Sequence, residues 1–130
     1  MNKFRVKVFK NDGDVIDTIV EGDDGPEFNG DNGMYKHLDC STIEITGARF
    51  DNKNYDLYID EEGRMKNNNF VNAEATNCFL DWLDHEGRMT MIPNIVGHAA
   101  LVDMEPIPDL IIDEKGTVYE EKKTNYYEGG

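Results

Sequence analysis

The chain has no run of apolar residues approaching the roughly 18 that a membrane-spanning helix needs. It is also short of positive charge: 13 bases stand against 27 acids, a formal net charge of −14. A surface so negative repels the phosphate backbone of DNA or RNA and anionic membranes, which argues against direct nucleic-acid or membrane binding. The two cysteines, Cys40 and Cys78, lie far apart and have no partner at metal-binding spacing. They read as reduced thiols of an intracellular protein. The opening Met1-Asn2-Lys3-Phe4-Arg5 already has the look of a strand rather than a secretory leader. The expectation is therefore a cytoplasmic protein.

Catalytic and cofactor signatures are missing as well. His37, His85 and His98 fit no zinc-ligand spacing. His85 reads as a cation near a helix C-terminus and His98 as a residue of an apolar strand. An EF-hand loop started at Asp51 meets Lys53 and Tyr55 where oxygen ligands belong, and Asp56 where a glycine belongs. Glu86-Gly87-Arg88 and Gly30-Asp31-Asn32-Gly33 read as turns, not phosphate cradles. No nucleophile elbow or Cys–His pairing is evident. The expectation is a protein without a required metal or cofactor, acting by binding and not as an enzyme.

What the chain does contain is period-two patterning in short segments. Phe4, Val6 and Val8 alternate with Lys3, Arg5 and Lys7, which predicts a strand over 3–9 with a basic outer face. Asn11-Asp12-Gly13-Asp14 turns the chain into a second strand, Val15 to Val20. Residues 11–31 hold eight acids and no base, whereas residues 1–10 hold four bases and no acid. The stretch from Glu21 to Gly33 reads as a loop too rich in Gly, Asp and Asn to pack. Residues 33–39 suit one or two helical turns. Strands follow at Thr42 to Ile45 and Asp56 to Asp60, with Ala48 to Asp51 leading to a turn between them. Asp60-Glu61-Glu62-Gly63 reads as the turn into a returning strand at Arg64-Met65.

Asn72 is a natural N-cap, and Ala75, Cys78, Phe79, Trp82 and Leu83 follow at helical spacing up to the stop at Gly87. This predicts a helix over about 73–85 with Trp82 buried against a sheet. Ile95 to Val102 reads as a buried strand, and Leu110 to Tyr119 as a closing hairpin. Strands outnumber helices and no βαβ rhythm appears. The expectation is an α+β fold: one domain over 1–130, a mostly antiparallel sheet, one main helix packed on it, and a frayed tail at 126–130.

Four segments in order resemble a family of phages and mobile elements, the domain of unknown function 3846, over about residues 35–103. They are Ser41-Thr42-Ile43-Glu44-Ile45, Leu57-Tyr58-Ile59-Asp60-Glu61-Glu62-Gly63, Asn72-Ala73-Glu74-Ala75-Thr76, and Ile95-Val96-Gly97-His98-Ala99-Ala100-Leu101-Val102. The departures are Asp39-Cys40 where the family usually has Gly-Gly, and His98 where it often has Asn. The resemblance implies no activity. It implies a small accessory protein working in the cytoplasm of an infected host cell, where counter-defence by binding is common.

Two binding modes follow. In the first, the chain sequesters a small anionic, nucleotide-like immune signal. The helix N-terminus would offer Asn72, Thr76 and Asn77, because free N–H groups and the dipole there suit phosphate or carboxylate. Tyr58 or Tyr35 would be a stacking platform. Arg5, with Lys3 or Lys7, would supply positive charge, from the same chain or from a second subunit of a homo-oligomer. In the second, the acid-rich surface imitates DNA and occupies a basic host defence protein by the counterion release that drives DNA binding. An enzyme acting on a nucleotide is a third reading.

Overall fold

The computed structural model describes residues 1–66, 70–91, 94–108, 110–112, 114–116 and 118–120. Seven strands appear: β1 (Asn2–Phe9), β2 (Val15–Gly22), β3 (Ile43–Phe50), β4 (Lys53–Asp60), β5 (Ala99–Val102), β6 (Leu110–Ile112) and β7 (Val118–Glu120). The helices are a short α1 (Met34–Leu38) and the main α2 (Ala73–His85). The first five strands form one sheet in the order β2-β1-β5-β4-β3, with every neighbouring pair antiparallel. β6 and β7 pair as the separate hairpin read from the sequence. The fold is α+β, as expected. The tail at 126–130 lies outside the described residues.

Two hairpins flank one late strand. Asp14 N–H bonds the Asp12 carboxylate at 3.0 Å, and Gly13 takes a φ of +97° that glycine adopts at little cost, which closes β1 onto β2. Between β3 and β4, Asp51 and Asn52 both have positive φ, the two-residue turn whose twist matches paired strands. The pair Phe50–Lys53 closes that turn, so β3 runs on past Ile45 to Phe50, through the stretch read as leading to the turn. Asp and Asn tolerate the left-handed region better than most residues, and that is the signal for the longer hairpin.

β5 slots between β1 and β4, and all four of its residues are buried. It is shorter than the apolar segment suggests. Gly97 has a φ of +92°, and Val96 makes only an isolated bridge to Val71, so the strand begins at Ala99 and not at Ile95.

The sheet has a different cover on each face. On one, Val6, Val8, Val20, Tyr58, Ala100 and Val102 pack against Met34 and Leu38 of α1 and against Phe28. The 21–33 loop therefore does pack, contrary to its composition. Glu27 N–H bonds Glu21 O at 2.8 Å, Met34 N–H bonds Glu27 O at 2.9 Å, and Asn32 Nδ2 donates to Ile19 O at 2.8 Å. Pro26, Met34 and Leu38 are buried anchors among polar neighbours. On the other face, Phe9, Ala48, Leu57, Ala99 and Leu101 pack with Ala75 and Cys78 of α2 and with Ile95.

α2 lies at the β3 side, against β3 and β4. Its indole is half-buried, not buried. It stacks on Phe79 and occupies the space where a Cβ on Gly47 would stand, 2.2 Å from the ring. Gly47 faces away from Ala48, so Trp82 reaches round the free edge of β3. Covering an edge strand in this way blocks edge-to-edge pairing. After β4, Glu62 N–H bonds the Asp60 carboxylate at 2.9 Å and a single 3₁₀ turn (Gly63–Met65) follows. No strand returns at Arg64-Met65. Among the described residues, no helix is long and apolar enough to cross a membrane.

Candidate functional site

Helix α2 covers only the β3–β4 half of its face, and the β1–β2 half stays open. Because Phe4, Val6 and Val8 take the α1 face, alternation sends Lys3, Arg5 and Lys7 onto the open one. The β2 register places Glu21, Ile19 and Asp17 opposite them. Lys7 pairs with Asp17 at 2.8 Å. Arg5 faces Ile19 and has no carboxylate at ion-pair distance among the described residues.

A groove of about 640 Å³ runs along this open face. Leu101 of the central strand is its apolar floor, Arg5 and Lys7 one wall, and Phe50 and Tyr55 of the β3–β4 hairpin the other. Asp103 closes one end, paired to Lys53 at 2.8 Å. Each lysine also lies over an aromatic ring: Lys7 is 5.7 Å from the Phe50 centroid, and Lys53 is 5.3 Å from that of Tyr55. Burial works to raise the Asp103 carboxyl. The Lys53 hydrogen bond, the Glu105 N–H and the positive charges of Lys53 and Arg5 outweigh it and hold the group below its ordinary value. Both carboxylates of the groove are paired to lysines. Among the described residues lining the groove, Arg5 is the cation without an ion pair at contact distance, and its charge acts on Asp103. Among the described residues, no His, Cys or Ser lines the groove.

The residues singled out at the helix N-terminus do not join it. Asn72 is 4% exposed and fully used within the chain. Its Nδ2 donates to Phe9 O and to Gly97 O, both at 2.8 Å, and its Oδ1 accepts from Ala75 N–H at 3.2 Å. Thr76 is buried, and its Oγ1 accepts from Ile95 N–H at 2.9 Å. Asn77 is exposed and lines none of the pockets described here. Tyr58 and Tyr35 sit on the opposite side of the sheet from α2. The Tyr58 ring is 3% exposed under Phe28, with a T-shaped contact at 5.8 Å, and its hydroxyl is directed at Met104 Sδ. Burial raises the Tyr58 phenol above its ordinary value. Tyr35 makes a similar contact with Phe28 at 5.3 Å. The sheet therefore separates the amide and hydroxyl from the proposed stacking platform. Of the six candidates, Arg5 alone lies in the groove.

Its companions Asp17, Ile19, Phe50, Tyr55, Leu101 and Asp103 escaped the sequence reading. The cross-strand pairs of Arg5 and Lys7 are legible from the hairpin register. The approach of Tyr55 and Leu101 is not, because it depends on β5 entering between β1 and β4.

Two smaller concavities lie elsewhere among the described residues. One, of about 420 Å³, lies beside Trp82 and Gly47 and includes Asp56, whose carboxyl burial pushes up. The other, of about 300 Å³, lies between Phe79, Ile95 and Arg64. Among the described residues, no cluster of three or more His, Cys, Asp or Glu side chains is arranged to hold a metal. Compared with known proteins, the chain matches no family model, no curated protein and no solved structure, so the resemblance to the phage and mobile-element family rests on its residues alone.

Proposed function

We propose that this chain is a binding protein that captures a small anionic, nucleotide-like ligand in the groove and releases it unchanged. One observation carries the reading: the Arg5 guanidinium, which makes no ion pair among the described residues, stands across an apolar floor from two aromatic rings. A guanidinium suits the bidentate geometry of phosphate or carboxylate, and an aromatic wall suits a flat ring. The groove volume falls within the range of small-molecule sites, about 300–1,000 Å³. The net charge of −14 opposes an anion at long range, but salt screens exposed charges beyond roughly 8–10 Å. In the phage setting that the resemblance implies, such capture would serve counter-defence by removing an immune signal.

Native mass spectrometry of the protein purified from defence-expressing cells tests this. The parent should carry a small ultraviolet-absorbing mass that Arg5→Gln lacks at equal fold content. An Arg5→Gln protein that retains the same mass would refute it.

The decoy reading has one observation of its own. Glu21 near the end of β2, and Asp23, Asp24 and Asp31 on the loop that backbone bonds hold in place after it, are all exposed. Neutralising Asp23 and Asp24 would then weaken inhibition of a basic defence protein, with steep salt dependence, and Arg5→Gln would be silent.

A further inference from the structure

The groove's charge layout sets how much charge a ligand can bring, an inference that rests on the binding reading above. The two cations that line it, Arg5 and Lys7, are interleaved with two carboxylates, Asp17 and Asp103, and Lys53 pairs with Asp103 from beside the groove. Lys7 is held by Asp17 and by the face of Phe50; Lys53 is held by Asp103 and by the face of Tyr55. Neither lysine can turn to a ligand without abandoning a carboxylate next to the same groove. Arg5 differs in degree: its partner on β2 is Ile19, and Asp103, beside it on the β5 flank, is already paired to Lys53.

We infer that the groove selects a planar ligand bearing a single anionic group, of the nucleoside monophosphate class, and rejects polyphosphates. The single phosphate sits on Arg5, and the ring lies over Leu101 against Phe50 and Tyr55. A second or third phosphate finds no further unpaired cation among the residues that line the groove. It would lie against Asp17 or Asp103, where each added like-charge contact weakens binding. Asp17 and Asp103 are then specificity residues that act by repulsion, the counterpart of the attraction at Arg5.

Isothermal titration calorimetry of the full chain at fixed ionic strength, without divalent metal, tests this with three probes: adenosine, adenosine 5′-monophosphate and adenosine 5′-triphosphate. The monophosphate should bind at least about tenfold more tightly than either of the others. Arg5→Gln should reduce it to the level of the nucleoside. Asp17→Asn and Asp103→Asn should each raise the ratio of triphosphate to monophosphate affinity by about fivefold or more. Asp17 is largely exposed, so its variant keeps the test clear of folding effects. A triphosphate that binds the parent as well as the monophosphate, or a ratio unmoved by both Asn variants, would overturn charge selection while leaving the binding reading intact. Failure of all three probes to bind, or monophosphate binding that Arg5→Gln does not weaken, would overturn the binding reading itself.

Discussion

Asn72 offers a sharp test, because its two ends do different work. Its carboxamide oxygen caps α2 through Ala75 N–H, while its NH₂ joins Phe9 O at the end of β1 to Gly97 O ahead of β5. Asn72→Ala removes the cap, worth about 1 kcal/mol. It also leaves two buried carbonyls short of a donor, at about 1 kcal/mol each at the low end. The loss should be about 3 kcal/mol, which lowers the thermal midpoint by roughly 10 °C for a domain of this size. Asn72→Asp is the decisive variant. Asp is as good a cap as Asn and favours the positive end of the helix dipole. It would nonetheless set a carboxylate oxygen against both carbonyls. Asn72→Asp should therefore be at least as unstable as Asn72→Ala, in urea or thermal melts followed by circular dichroism. If Asn72→Asp melts within a degree or two of the parent, Asn72 is a cap only, and the bracket joining β1 to the β5 approach does not hold the fold.

Gly47→Ala would place a methyl group within the Trp82 ring volume and should cost about 1–3 kcal/mol. Trp82→Ala should cost about 3 kcal/mol, and the double variant should lose less than the sum of the two, as a double-mutant cycle in urea will show. His98 accepts Asn11 N–H on Nδ1 at 2.8 Å, so its ring must be neutral there; burial and then Lys10 lower its pKa, while Asp39 and Asp12 work the other way. Since the folded value lies below the unfolded one, about 6.5, its stability contribution is complete above that pH and is lost as pH falls through the folded value. His37 shifts in the same direction, so the slope between pH 7 and 5 should shrink in His98→Asn and should not vanish until His37 is replaced too. Cys78 has a thiol pushed up to about 11 by burial and by the carboxylates of Glu74 and Asp81. At pH 8 it should resist a disulfide reagent in the folded protein and react fully in denaturant; fast labelling of the native chain at Cys78 would contradict the packing of α2.

The two layers of this fold were not equally legible in the sequence. Alternation in Phe4-Val6-Val8 and the glycine in Asn11-Asp12-Gly13-Asp14 determined β1, β2 and their turn, because those signals are local and act within a few residues. Asn72, the apolar stripe and Gly87 determined α2 for the same reason. The packing of the 21–33 loop was not legible. Its own anchors are only Pro26 and Phe28 among acids, glycines and asparagines, and it is held by Glu27 N–H on Glu21 O and by the Asn32 side chain on Ile19 O, bonds that composition does not encode. The candidate site divides along the same line. That Arg5 and Lys7 share a face follows from a period of two, and that Lys7 meets Asp17 follows from a hairpin. That Arg5 faces Tyr55 and Leu101 across a groove, while Tyr58 lies behind the sheet from Asn72, was decided only when β5, some ninety residues along the chain, took its place between β1 and β4. Strand order is set by which apolar faces can be buried together over long loops, and that is a property of the whole core, not of any segment in it.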